Sequence, residues 1–129
     1  MAGKIVADTL EHSTAGSLDT SYVVQGSAKA WVNFNGTGTI AARDSQNVSS
    51  LTDVGTGNYT VNFTNSMSSI NYIVSITGAG DNDFTNTGSS RVTYTITSSS
   101  SCPVRTWRAS DNSAQDSASV FTSIHGDLA

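Results

Sequence analysis

Cys102 is the one thiol in the chain, and His12 and His125 are its only imidazoles. A cysteine held beside a histidine can act as a nucleophile with its general base. The surroundings of Cys102 argue against that use. It follows four serines, residues 98–101, and precedes the single proline, Pro103, and no local signature of a cysteine enzyme surrounds it. The two histidines sit near opposite ends of the chain and lack metal-ligand spacing. Asp81, Asn82, Asp83 and Thr85 offer oxygen atoms in the manner of the opening of a calcium loop. The twelfth position, however, is Val92 where a bidentate glutamate is needed, so a solvated turn is the weightier reading.

The Gly-x-Gly pairs at Gly36/Gly38, Gly55/Gly57 and Gly78/Gly80 do not open helices, and read as hairpin punctuation instead of phosphate cradles. Asn-x-Ser/Thr triplets at Asn35, Asn47, Asn58 and Asn62 are expected by chance in a chain so rich in these residues. Trp31 and Trp107 are candidate sugar-stacking platforms, but tryptophans inside strands more often belong to a core or a subunit interface. No catalytic, cofactor-binding or metal-binding residue is therefore assigned. The chain is expected not to be an enzyme and to need no cofactor.

The elements that would carry these residues repeat every second position. Residues 29–34 lead into Asn35-Gly36, a pair that predicts a two-residue type I′ hairpin turn with positive φ at both positions. Residues 37–41 and 47–52 continue the strand pattern. In residues 59–64, Tyr59, Val61 and Phe63 share one face and Thr60, Asn62 and Thr64 the other, as in a strand with one buried face. Residues 72–76 are apolar on both faces at their start, which predicts a central or interface strand. Residues 91–97, 104–109 and 118–125 complete a set of about eight, with Pro103 at a strand entrance. Short strands with polar connections predict an all-β domain, a single antiparallel β-sandwich. Residues 1–28 spread their apolar side chains thinly and predict an extended N-terminal arm, or a pair of short strands unable to bury themselves. The expected division is an attachment arm, 1–28, and a sandwich module, 29–129.

Composition narrows the function. Only 12% of the 129 residues are charged, against roughly a quarter in an average domain, and the net charge is -4. With an isoelectric point near 4.7 and six scattered basic residues, nucleic acid is not an expected partner. No segment reads as a membrane span or a signal peptide, so a soluble chain made in a cytoplasm is expected. A lone cysteine provides no internal disulfide, and a small polar domain without one commonly gains stability by oligomerising.

Residues 30–39, AWVNFNGTGT, followed by 47–53, NVSSLTD, 55–63, GTGNYTVNF, Met67 and 72–74, YIV, form a long ordered block. The block resembles one recurrent near the ends of bacteriophage tail-fibre and related virion proteins, and residues 120–127 resemble its close more weakly. The resemblance implies a β-sandwich virion module, homotrimeric, attached to other phage proteins through the arm. Two alternatives stand beside the tail-fibre-like role: a capsid decoration protein and a small carbohydrate-binding lectin. If a host-surface glycan is contacted, the long loop 78–88 is the expected place, through Asp81, Asn82, Asp83 and Asn86.

Overall fold

The computed structural model describes residues 3–79, 96–108 and 112–129. The chain is all-β with one short helix. Its elements are β1 (Thr9–His12), β2 (Gly16–Asp19), α1 (Thr20–Gly26), β3 (Ala30–Asn35), β4 (Ala41–Gln46), β5 (Val48–Gly55), β6 (Asn58–Phe63), β7 (Ile73–Ala79), β8 (Ser101–Arg105) and β9 (Ser119–His125). Among the described residues β1 and β2 pair only with each other. The remaining strands form a four-stranded sheet in the order β4-β3-β9-β7 and a three-stranded sheet in the order β5-β6-β8, all antiparallel. The expected strand over 91–97 lies outside the described residues save its last two, of which Ile96 packs against the core.

Alternation in the sequence becomes burial in the fold. Ala30, Val32 and Phe34 of β3 and Val120 and Ile124 of β9 face inward from the larger sheet. Tyr59, Val61 and Phe63 of β6 and Cys102 and Val104 of β8 meet them from the smaller one. Phe34 and Tyr59 pack edge to face across the sheets, with ring centroids 5.3 Å apart. Phe63 and Tyr72 repeat the arrangement at 5.9 Å. Such pairs contribute about 1 kcal/mol beyond the area they bury.

The chain changes sheets at one residue. β4 belongs to the larger sheet and β5 to the smaller, and only Asn47 stands between them, with a left-handed φ of 56°. Its side chain fixes the corner: Oδ1 accepts from the Asn65 backbone N–H at 2.7 Å and Nδ2 donates to the Asn65 carbonyl at 3.0 Å. Asparagine tolerates this backbone region and bonds locally to hold it.

Two expectations are corrected, and one on β7 is met by neither of its alternatives among the described residues. The β3–β4 hairpin exists, but Asn35 and Gly36 do not form its turn. Positive φ falls instead on Gly38, at 62°, and the connection runs over residues 36–40. Gly36 is required for space: its N–H donates to the Ser117 carbonyl at 2.9 Å, and a Cβ there would lie 2.6 Å from the Tyr59 hydroxyl. Of the two positions expected for β7, central or interface, the described residues show neither: among them it pairs with β9 alone, and Ile73 is 67% exposed. Pro103 lies within β8, opposite Thr60, and not at its entrance. Among the described residues β8 borders the sheet, where a missing N–H costs no ladder bond.

Residues 3–27 hold the only helix among the described residues and the separate hairpin, and all of them are exposed except the half-buried Thr20. The arm is thus the pair of short strands expected, followed by a seven-residue helix that the sparse apolar pattern did not predict. Thr20 ties the two together, its backbone N–H donating to the Asp8 carbonyl at 2.8 Å and its hydroxyl to the Ala7 carbonyl at 2.7 Å.

Candidate functional site

The structure separates the three residues with nucleophile–base chemistry. Cys102 is 1% exposed in the core, and burial pushes its thiol up to about 12 despite a partly offsetting bond with the Tyr72 hydroxyl. Its sulfur donates to the Pro103 carbonyl at 3.4 Å. A thiol so placed stays protonated at neutral pH, the opposite of an activated nucleophile. His12 lies on the exposed hairpin, where Nδ1 accepts from the Thr14 and Ala15 backbone N–H groups and closes its own turn. His125 is on β9. Its Nδ1–H donates to the Gly26 carbonyl at 3.1 Å and its Nε2 lies 3.1 Å from the Ser123 hydroxyl. Among the described residues no three His, Cys, Asp or Glu side chains gather as metal ligands. Asp81, Asn82, Asp83 and Asn86 lie outside the described residues.

Two surfaces concentrate what the interior leaves over. The first is the outer face of the four-stranded sheet. Residues 121, 123 and 125 alternate outward along β9, and across from them stand Trp31 and Asn33 on β3 and Ile73, Ser75 and Thr77 on β7. Trp31, Asn33, Ser75, Thr77, Phe121 and Ser123 line an open trough of about 350 Å³, with Trp31 and Phe121 as its aromatic walls. Trp31 is held in place by an Nε1–H bond of 2.8 Å to Oε1 of Gln46, its partner on β4. A β-bulge sets the rim: β4 has one residue more than β3 between Asn33 and Phe34, and that residue is Arg43. Bulges turn a side chain out of the regular pattern. Arg43 reaches across β3, donating to Asn33 Oδ1 at 3.2 Å and to the Ala118 carbonyl at 2.6 Å. Trp107 is different. It is half-buried beyond β8, bridges to Ala114, and its Nε1–H has no partner among the described residues.

The second surface is the arm. Of twelve large hydrophobic side chains left exposed among the described residues, seven belong to it, from Ile5 at 93% to Val23 at 43%. Ile5, Val6, Leu10, Val23 and Val24 line a groove of about 410 Å³ between the hairpin and α1. The arm is hydrogen-bonded to the body at its root, where Gly26 accepts from His125 and Lys29 Nζ reaches back to the Val24 carbonyl at the end of α1. A cation there favours the negative end of the helix.

One polar cluster escaped the sequence reading. Asp116 Oδ1 accepts from the Gly57 N–H at 2.6 Å and from the Tyr59 hydroxyl at 3.0 Å, while Tyr59 also lies 2.8 Å from the Gly36 carbonyl. Burial, followed by the Asp116 carboxylate, raises the Tyr59 phenol to about 12. The cluster locks the β3–β4 and β5–β6 turns to the segment entering β9. It is structural, and the only signal for it was a tyrosine two residues past a Gly-x-Gly turn.

No protein-family model, curated protein or solved structure matches the chain.

Proposed function

We propose that the chain is a non-enzymatic structural module of a bacteriophage virion, a tail-fibre-like homotrimer attached to neighbouring virion proteins through its N-terminal arm. What supports this reading is the contrast between a sandwich that closes its own core and an arm that buries nothing. Every core residue lies between Ala30 and Ile124, and the arm adds seven uncovered apolar side chains. Exposed apolar surface on this scale marks a site of association. The resemblance of residues 30–74 to the tail-fibre block supplies the virion context. The outer edges of β1 and β2, unpaired among the described residues, suit addition to a strand of a neighbouring protein.

Deleting residues 1–24 is expected to leave a folded sandwich that no longer joins the particle. Retained incorporation overturns attachment through the arm. Quantitative mass spectrometry of the virion separates the tail role from capsid decoration: a few tens of copies or fewer fit the tail, and hundreds fit the shell. The Trp31–Phe121 trough, an aromatic platform rimmed by Asn33, Ser75 and Thr77, favours carbohydrate binding as a second reading. A glycan array with no binding to the intact protein excludes it.

A further inference from the structure

We propose that Asn35-Gly36 is a self-modification site that the native fold holds closed: folded chains keep Asn35, and unfolded chains lose it to aspartate and isoaspartate. This chemistry needs no partner, and it sets how long an unfolded chain can still return to the native state.

Of the 11 glycines in the chain, only Gly36 follows an asparagine. The backbone nitrogen of the residue after an asparagine, on giving up its proton, can attack the side-chain carbonyl carbon. A C–N bond forms, a succinimide ring closes, and the side-chain amide leaves as ammonia carrying that proton. Water then adds to either ring carbonyl and gives aspartate or isoaspartate. Water is the sole co-reactant and no electrons are transferred. A Cβ on the attacking residue crowds the ring closure, and glycine has none. Asn35 is therefore the asparagine that an unfolded chain loses first.

In the fold, every group that takes part in this step is held elsewhere. The Gly36 N–H donates to the Ser117 carbonyl at 2.9 Å, which keeps the proton on the nitrogen. The Asn35 amide is turned onto Thr37: Nδ2 donates to the Thr37 carbonyl at 2.9 Å, and Oδ1 accepts from the Thr37 N–H at 3.2 Å and its hydroxyl at 2.8 Å. On its other side Gly36 is packed against Tyr59, whose hydroxyl lies 2.8 Å from the Gly36 carbonyl. Ring closure needs the two reacting atoms brought into an attack geometry. Here that requires the 36–40 connection to part from the segment entering β9. The products do not fit the site they leave. Isoaspartate lengthens the backbone by one methylene where Asn35 pairs with Ala41, and either product sets a carboxylate where Nδ2 donated to the Thr37 carbonyl. A chain modified while unfolded is thus barred from the full native state, which is one way unfolding becomes irreversible.

Incubating the full-length chain folded and in urea, in one mildly alkaline buffer, tests this. Peptide mass spectrometry reads the mass gained at residue 35 as the amide becomes a carboxylate, with the other asparagines as internal references. In urea Asn35 is expected to react first. In the folded chain its loss is expected to be slower by roughly a hundredfold or more, because the rate carries the equilibrium constant for opening. Tyr59→Phe frees the Gly36 carbonyl and is expected to speed the folded-state loss by roughly fivefold while leaving the rate in urea unchanged. Sub-denaturing urea on the wild-type chain gives the same reading if that variant does not fold: the loss should climb with urea below the unfolding midpoint. Chains modified at residue 35 and returned to buffer are expected to unfold at a lower urea concentration than chains that kept Asn35. Equal rates in folded and unfolded chains overturn the closed site, and an Asn35 that reacts in urea no faster than the other asparagines overturns the site itself.

Discussion

The sandwich and the arm draw on the same residue types and reach opposite outcomes. In β6, apolar residues at every second position all find cover, and Tyr59 and Val61 are fully buried. In the arm, Leu10 and Leu18 face each other in register across the hairpin and each remains nearly half exposed. The difference is layers. Each face of the sandwich core has a second sheet opposite it, whereas the hairpin has none. Amphipathic pattern makes burial available, and only a second surface delivers it. In the sandwich that surface comes from the same chain, and among the described residues the arm has none.

This contrast is sharpened by substitutions whose effects should descend from core to arm. Phe34→Ala removes a ring that is fully buried and packed on Tyr59, and should cost about 4 kcal/mol in urea unfolding. Gly57→Ala comes next. Gly57 has φ +60°, and a Cβ would meet the Gln115 backbone nitrogen at 2.8 Å, so both strain and overlap oppose it. Roughly 3 kcal/mol is expected, read as a lower midpoint of thermal unfolding.

Tyr59→Phe should cost about 1 kcal/mol by leaving the Gly36 carbonyl and Asp116 without the phenol. It also changes the alkaline response. The folded pKa values of Tyr59 and Cys102 are both raised to about 12, from 10 and 9. The unfolded chain therefore loses these protons first, and stability that is complete below pH 9 falls as pH rises toward 12. Tyr59→Phe should make that fall shallower in a series of unfolding curves from pH 8 to 11. Smallest is Val24→Ser in the arm, which should move the unfolding midpoint of a dilute, monomeric sample by less than about 0.5 kcal/mol. A large loss there would mean that the arm stabilises its own sandwich, and the contrast would break.

Local pattern carried most of the sandwich. The alternation of Tyr59, Val61 and Phe63 gave β6 its buried face, and that of Val120 and Ile124 gave β9 its own. What stayed hidden depends on residues distant in sequence. The role of Gly36 is set by Tyr59 and Ser117, and that of Asp116 by Gly57, so no local window contains either. The sheet change at Asn47 depends on Asn65. The helix α1 was missed because Tyr22, Val23 and Val24 have no buried face to reveal a helical period. At the candidate site, Trp31 stood out in the sequence as a residue of core or interface, while Phe121 gained meaning only when β9 placed it on the same trough.

The pairing of β3 with β9 also sets an order in time. Trp31 lies near the start of the chain and Phe121 near its end, and their shared face does not exist until the last strand has been made and inserted. The apolar arm leaves the ribosome before β9 exists. Strand pairing at such long range is slow, so the larger sheet closes late in folding. Its outer aromatic face thus reports on completion: Trp31 and Phe121 come together only once β9 is in place.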